Sequence, residues 1–248
     1  MKEPLEHRLV AHRGFPARFP ENSVAGVAAA LACGARFVEV DIQLTRNGVP
    51  VLLHDADLRR LCDSPRAIFD TDHEDLAALC RRHATKPDAG TPSHPVPLLA
   101  DLAPVFQEAS AALLFVELKP QSLAHHGRRA VLDAVLREVA AFRERVVFIS
   151  FDGAVLEQAH VYGPVGLVHD RWDHHHSAEV AALEPEYYFC NAELLPEDGP
   201  LALPDRRLVV YETVDAGRAT TLMDRGVDLV ETFDVCGMAD RLRAMAPG

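Results

Sequence analysis

Apolar residues come in short runs, and several of these stop at a charged group. Leu9–Ala11 stops at His12, Phe37–Asp41 is acidic at Glu39 and Asp41, and Leu113–Leu118 is followed by Lys119. Five further runs, Val146–Phe151, Val165–His169, Tyr187–Asn191, Leu208–Thr213 and Asp228–Phe233, have strand length and composition. Helical patterns separate several of them, notably Arg128–Phe142, Ala154–Tyr162 and Arg218–Arg225. The pattern is less helical after Val165–His169 and after Tyr187–Asn191. Strands alternating with helices predict a parallel sheet, and this number of them predicts a closed α/β barrel of the (β/α)8 kind.

Two local signals refine this expectation. Glu21-Asn22-Ser23, followed by Val24, Val27, Ala28 and Leu31, predicts an N-capped amphipathic helix that ends at Gly34. Thr45-Arg46-Asn47-Gly48-Val49 sets Asn-Gly between two apolar runs, the strongest short hairpin signal. Val51–His54 is therefore expected to run antiparallel to the preceding strand, outside the barrel wall. Residues 56–97 follow as an insertion with a short helix, Glu74–His83, and a Pro-rich stretch, Lys86–Pro95. No separate apolar core is evident there, so a loop over the barrel mouth is expected.

At 248 residues the chain matches the size of one such barrel, and residues 1–248 are read as a single domain. No apolar run is long enough to span a bilayer, and the first strand begins too early to leave room for a secretory signal. A cytoplasmic protein without stable membrane insertion is expected. The net charge of −12 disfavours a nucleic-acid partner, which needs Lys and Arg to displace counterions. Cys33, Cys62, Cys80, Cys190 and Cys236 show no metal-like spacing and are read as reduced structural thiols. Asp173-His174-His175-His176 is read as solvent-exposed rather than as a metal site.

In a closed parallel barrel the carboxyl ends of all strands meet at one rim, and active sites are built there. Residues two apart on a strand share a face, so Glu39 with Asp41, and Glu117 with Lys119, can each point the same way. Hard carboxylate oxygens suit one divalent cation, Mg²⁺ or Ca²⁺. His12-Arg13-Gly14 and His54-Asp55 also fall where strands stop. Any one pair alone is explained as a buried ion pair or a solvated strand end. Together they point to metal-assisted phosphoryl transfer, since buried charge is costly unless paired or metal-bound.

The stretches Val10-Ala11-His12-Arg13-Gly14, Pro20-Glu21-Asn22, Phe37-Val38-Glu39-Val40-Asp41, Gly48–Asp55, Val96-Pro97-Leu98-Leu99, Phe115-Val116-Glu117-Leu118-Lys119 and Ile149-Ser150-Phe151-Asp152 are similar, in order, to motifs of the glycerophosphodiester phosphodiesterase family. The resemblance implies a TIM barrel and a small-molecule phosphodiester substrate cleaved to glycerol 3-phosphate and an alcohol. It further implies that Glu39, Asp41 and Glu117 hold the metal and that His12 and His54 are the acid–base pair. Arg13 and Lys119 would contact phosphate, with Glu21 as a further polar group nearby. It leaves open whether water or the neighbouring glycerol hydroxyl attacks. A lysophospholipase D-like activity is the related alternative, with Leu58, Leu61, Ile68 and Phe69 either lining an acyl groove or packing the insertion. A non-catalytic phosphate-ligand binder is the alternative of another class.

The last third departs from the family pattern. Glu212-Thr213-Val214-Asp215 stands where the family usually has aromatic-Thr-Val-Asn, and Glu231-Thr232-Phe233-Asp234 where it usually ends a strand with Thr-Asp. Glu212 and Glu231, with Trp172 beyond the fifth barrel strand, are candidates for binding a cationic head group. The competing reading pairs the two glutamates with Arg206, Arg207 or Arg225 and packs Trp172 under a loop.

Overall fold

The computed structural model describes residues 4–83, 96–109 and 111–245. Its strands are β1 (Leu9–Ala11), β2 (Phe37–Leu44), β3 (Pro50–Leu52), β4 (Leu113–Leu118), β5 (Val146–Ser150), β6 (Val165–His169), β7 (Tyr187–Asn191), β8 (Arg207–Tyr211) and β9 (Leu229–Thr232). The order is β1-β9-β8-β7-β6-β5-β4-β2-β3, and β1 also pairs with β2, which closes the ring. All pairings within the ring are parallel, so the barrel is the expected one.

β2 outruns the barrel. Its first part pairs with β4 over Phe37–Ile42, and its last residues, Ile42–Leu44, pair antiparallel with β3 outside the wall. Gly48, at φ 75°, supplies the left-handed turn residue, and Thr45 N donates to Val49 O. The Asn-Gly signal therefore gives the expected hairpin.

Strand parity divides the apolar residues into two layers. Val38, Val40, Leu114, Val116 and Leu118 face outward into the core shared with the helices. Val10, Phe37, Phe115, Val147, Ile149, Val168, Phe189 and Val209 fill the barrel interior. Gly166 makes room among them, because a Cβ there would sit 2.8 Å from the Phe189 ring and 3.0 Å from Ile149. This apolar filling is the floor on which the rim residues stand.

Helices follow the expected strands, with Val24–Ala32 capped by the Ser23 hydroxyl, which accepts from Gly26 N at 3.1 Å. The weakly patterned segment after β6 does carry a helix, Ala178–Leu183, whereas β7 is followed by the 3-10 turn Ala192–Leu194.

Two expectations are corrected. The insertion has an apolar cluster of its own, in which Leu58, Cys62, Ile68, Leu76, Cys80 and Val96 pack with Val51 and Leu53. Leu58 and Ile68 are fully buried there, with Leu61 and Phe69 packed against the cluster, so these residues pack the insertion onto the body. Phe69 also stacks on His125 at 4.8 Å. Leu58 with Cys62 and Leu76 with Cys80 have helical spacing, but each segment is short, and the two faces form a core only when they meet each other and Val51 and Leu53. The Pro-rich stretch Lys86–Pro95 lies outside the described residues. The second correction concerns the thiols: Cys33 bonds to Cys236 and Cys62 to Cys80, leaving Cys190 buried and free. Cys33–Cys236 joins residues 203 apart, brought together only when the barrel closes.

Candidate active site

The inward parity that buries Phe37 at the bottom of β2 brings Glu39 and Asp41 to its upper end, and Glu117 rises from β4 directly beside Asp41 in register. One carboxylate oxygen from each of Glu39, Asp41 and Glu117 lies within 4.8 Å of the others, and all three residues are buried. Among the described residues this is the only group of its kind.

Three segments hold the carboxylates in place. Asn22 grips Asp41 twice, donating Nδ2 to Oδ2 at 2.8 Å and accepting the Asp41 backbone N–H at 3.1 Å. Lys119 Nζ lies 3.1 Å from Asp41 Oδ1 and 2.9 Å from Glu117 Oε1. Arg13 donates its backbone N–H to Glu39 Oε2 at 3.0 Å and sets its Nε 3.2 Å from Asp41 Oδ2. Arg13 and Asn22 both have φ near +53°, a left-handed conformation that costs about 1–3 kcal/mol for such residues. The bond from Asn22 N to Arg13 O at 2.9 Å ties the two strained positions together.

The electrostatics separate the carboxylates. Burial would raise Asp41, but Lys119 and Arg13 outweigh it and hold Asp41 well below its usual range. Burial, aided by Asp41, pushes Glu39 far up, and burial also lifts Glu117 despite Lys119. Glu39 Oε1 is buried and has no hydrogen-bond partner. Two carboxylates short of positive charge and one orphaned oxygen are what a hard divalent cation would satisfy. The residues present therefore fit such an ion.

His12 ends β1, with its Nδ1 2.6 Å from Glu212 Oε2 and its Nε2 3.7 Å from both Glu39 Oε2 and Glu231 Oε2. Phe233 stacks on the imidazole face, with centroids 4.8 Å apart. Burial works against the charged ring, but Glu231, the Glu212 hydrogen bond and Glu39 lift it to about 9. His54 sits beyond β3, with Nδ1 2.8 Å from Asp55 Oδ1. Asp55 accepts from Arg60, which also reaches Glu21 at 2.6 Å, and Glu21 lies 3.6 Å from Arg13.

These groups surround one cleft of about 440 Å³, counting its open mouth. His12, Arg13, Glu39, His54, Glu117 and Lys119 form one side, and Ile149, Phe151, Val168 and Phe189 the other. Tyr211 and Glu231 complete the lining. Burial lifts Glu231 to about 7, and its Oε1 has no hydrogen-bond partner. Glu231 is opposite Val10 in register, so it lies below the His12 level rather than at the mouth.

Of the residues singled out in the sequence, His12, Arg13, Glu39, His54, Glu117, Lys119 and Glu231 line this cleft. Asp41 and Glu21 support it from behind, and Glu212 reaches it through His12. Trp172 does not join them. It packs on the outer core and against His175, 4.3 Å between centroids. The arginine pairing considered for the glutamates is also not what the structure has. Arg225 donates to the Gly199 and Pro196 carbonyls, and Arg207 lies over the rings of Phe37 and Tyr187. His174 and His175 are half-buried rather than exposed, with His174 stacked on His169 at 3.7 Å. Sequence reading gave no role to Asn22, Arg60 or Phe233. Asn22 lies in the Pro20-Glu21-Asn22 motif and Phe233 in the departing Glu231–Asp234 stretch, whereas Arg60 carries no signal of its own.

A parallel barrel with three buried carboxylates at its carboxyl rim, flanked by two histidines, an arginine and a lysine, defines a class of barrel proteins suited to an anionic ligand and a hard cation. Residues 12–191 match the sequence profile of the glycerophosphoryl diester phosphodiesterase family, and the chain belongs to that family. It is 28% identical over 159 residues to a glycerophosphodiester phosphodiesterase of Bacillus altitudinis, a match that covers 63% of each chain. A protein of the same description from Caldanaerobacter subterraneus is 26% identical over 201 residues, 75% of this chain and 79% of that one. Among solved structures, a putative glycerophosphoryl diester phosphodiesterase from Silicibacter pomeroyi superposes with a TM-score of 0.78 at 23% identity, covering 95% of this chain and 92% of that one. An Oleispira antarctica phosphodiesterase, solved with its product sn-glycerol-3-phosphate, gives 0.77 at 21% identity, covering 94% and 96%.

Proposed function

We propose that this protein hydrolyses glycerophosphodiesters to glycerol 3-phosphate and an alcohol, with the help of one divalent cation, Mg²⁺ or Ca²⁺. The observation that carries this reading is the convergence of Glu39, Asp41 and Glu117 with His12 and His54 on one cleft. A cation held by the three carboxylates would neutralise phosphoryl oxygens and orient the attacking group. His12 and His54 then divide the proton work, one accepting a proton from the attacking hydroxyl or water and the other returning one to the departing alcohol. Arg13 and Lys119 face the cleft and have donors left for phosphate oxygens beyond those engaged by Asp41 and Glu117. Glu21, through its contacts with Arg13 and Arg60, keeps Arg13 aimed.

A glycerophosphodiester suits this reading better than a lysophospholipid bound by the insertion, because the insertion's apolar residues are spent on their own cluster. A mere binder would have no use for two histidines, each oriented by a carboxylate. Among the described residues no helix is long and apolar enough to cross a membrane. The two disulfides favour an oxidising compartment over the cytoplasmic address expected from the sequence.

The test is release of glycerol 3-phosphate from glycerophosphocholine, glycerophosphoethanolamine and glycerophosphoglycerol. Release that stops on adding EDTA and returns with Mg²⁺ or Ca²⁺ is expected. Absence of release from all three, with either cation present, overturns the reading.

A further inference from the structure

The two cleft histidines are held alike by side chains of different origin. His54 Nδ1 lies 2.8 Å from the carboxylate of the next residue in the chain, Asp55. His12 Nδ1 lies 2.6 Å from the carboxylate of Glu212, a residue 200 positions away on the loop after β8. An ionised carboxylate can only accept, so in such a contact the proton is on Nδ1. Nε2 is then the nitrogen turned to the cleft, where Glu39 and Glu231 stand 3.7 Å off, too far for a hydrogen bond. Phe233, stacked within 9° of the ring plane, limits tilting but leaves rotation about the ring axis free, and among the described residues only Glu212 hydrogen-bonds the ring and so fixes which nitrogen points inward. The Glu212 side chain is 38% exposed, so it is not a buried structural ion whose loss would unfold the barrel. It also falls at one of the two places where the chain leaves the family pattern.

We propose that Glu212 is a positioning residue for His12, holding the ring in the Nδ1–H tautomer with Nε2 presented to the substrate. This rests on the acid–base role given to His12 above and assigns Glu212 to the chemistry rather than to the alcohol head group. A carboxylate that orients a histidine in this way stabilises the imidazolium when the ring takes up a proton and keeps the correct nitrogen free.

The experiment compares Glu212→Gln and Glu212→Ala with the unmodified full-length protein, supplied with Mg²⁺ or Ca²⁺. Gln keeps an acceptor oxygen for Nδ1–H; Ala keeps none. Glu212→Ala is expected to lower kcat by at least about tenfold, with KM changed less than about twofold, equally for glycerophosphocholine and glycerophosphoglycerol. Glu212→Gln is expected to fall between Ala and wild type, and cation affinity by calorimetry to stay unchanged in both. Side-chain ¹⁵N spectra taken above the His12 value of about 9, where the ring is neutral, with the His12 signal assigned by its loss in His12→Gln, read the tautomer without any turnover. They should show Nδ1–H in wild type and Glu212→Gln and a mixed or reversed tautomer in Glu212→Ala. Wild-type kcat in Glu212→Ala, or a KM rise confined to the choline substrate, overturns the proposal. If the wild type cleaves none of the diesters, the functional reading fails by itself. The spectra still decide, because an unchanged tautomer in Glu212→Ala overturns the positioning role.

Discussion

The two walls of the cleft follow the same strand parity and carry opposite chemistry. On β1, β2 and β4 the uppermost inward positions are His12, Glu39, Asp41, Glu117 and Lys119; on β5, β6 and β7 they are Ile149, Phe151, Val168 and Phe189. The strands of both walls share the same parallel ladder, so the chemical contrast along them lies in which side chains occupy equivalent places. The charged wall is dense because each buried charge needs its neighbours, as Asp41 needs Lys119, Arg13 and Asn22. The apolar wall keeps the local dielectric low and so strengthens those interactions. β8 and β9 depart from the apolar half by sending Glu212 and Glu231 back to His12.

The comparison breaks most sharply on the charged wall. Glu39→Gln and Glu117→Gln are expected to abolish cation binding in calorimetry and reduce turnover to background; an unaltered affinity in either removes that residue from the cation site. The same wall should show itself in pH dependence without substrate. Glu39, Glu117 and Glu231 are all raised above the usual 4.5, Glu231 to about 7. For a carboxylate raised in the folded state, the stabilisation is complete below about pH 4.5 and is lost as pH rises through the folded value. The rise in Tm on adding Mg²⁺ or Ca²⁺ should therefore be large at pH 8 and small near pH 5. A shift that is equal at both pH values contradicts it.

His12→Ala and His54→Ala come next, each expected to depress kcat by about 10²–10⁴-fold with the cation still bound. Near-normal turnover in one of them would leave a single histidine for both proton transfers.

A smaller effect sharpens how the two halves are tied. Replacing both Cys33 and Cys236 by Ala should cost about 2–4 kcal/mol in urea unfolding, since that bond closes the longer loop. The Cys62→Ala, Cys80→Ala pair spans a separation of 18 and should cost less. Equal losses would argue that native packing rather than loop closure sets the contribution.

Phe151→Ala, on the apolar wall and 38% exposed, is expected to do least. A change in KM of about twofold or less, with kcat intact, matches a rim residue worth roughly 0.5 kcal/mol. A tenfold loss would show that the apolar wall contributes to binding as strongly as a charged one.

What the sequence by itself determined is what depends on near neighbours. Spacing of two on a strand put Glu39 with Asp41 on one face, runs of apolar residues located the barrel strands within a few positions, and Asn47-Gly48 foretold the hairpin. These follow from backbone geometry that any short segment carries with it. Tertiary structure alone decided the contacts across the closure of the ring. Glu212 meets His12 from 200 positions away, Phe233 stacks on the same ring, Glu231 sinks to the level of Val10, and Cys33 meets Cys236. Likewise Leu58, Ile68 and Leu76 became a cluster only when the insertion folded against β3. No local period encodes such meetings, because they depend on how far each strand is shifted against the next when the sheet closes, a property of the whole barrel.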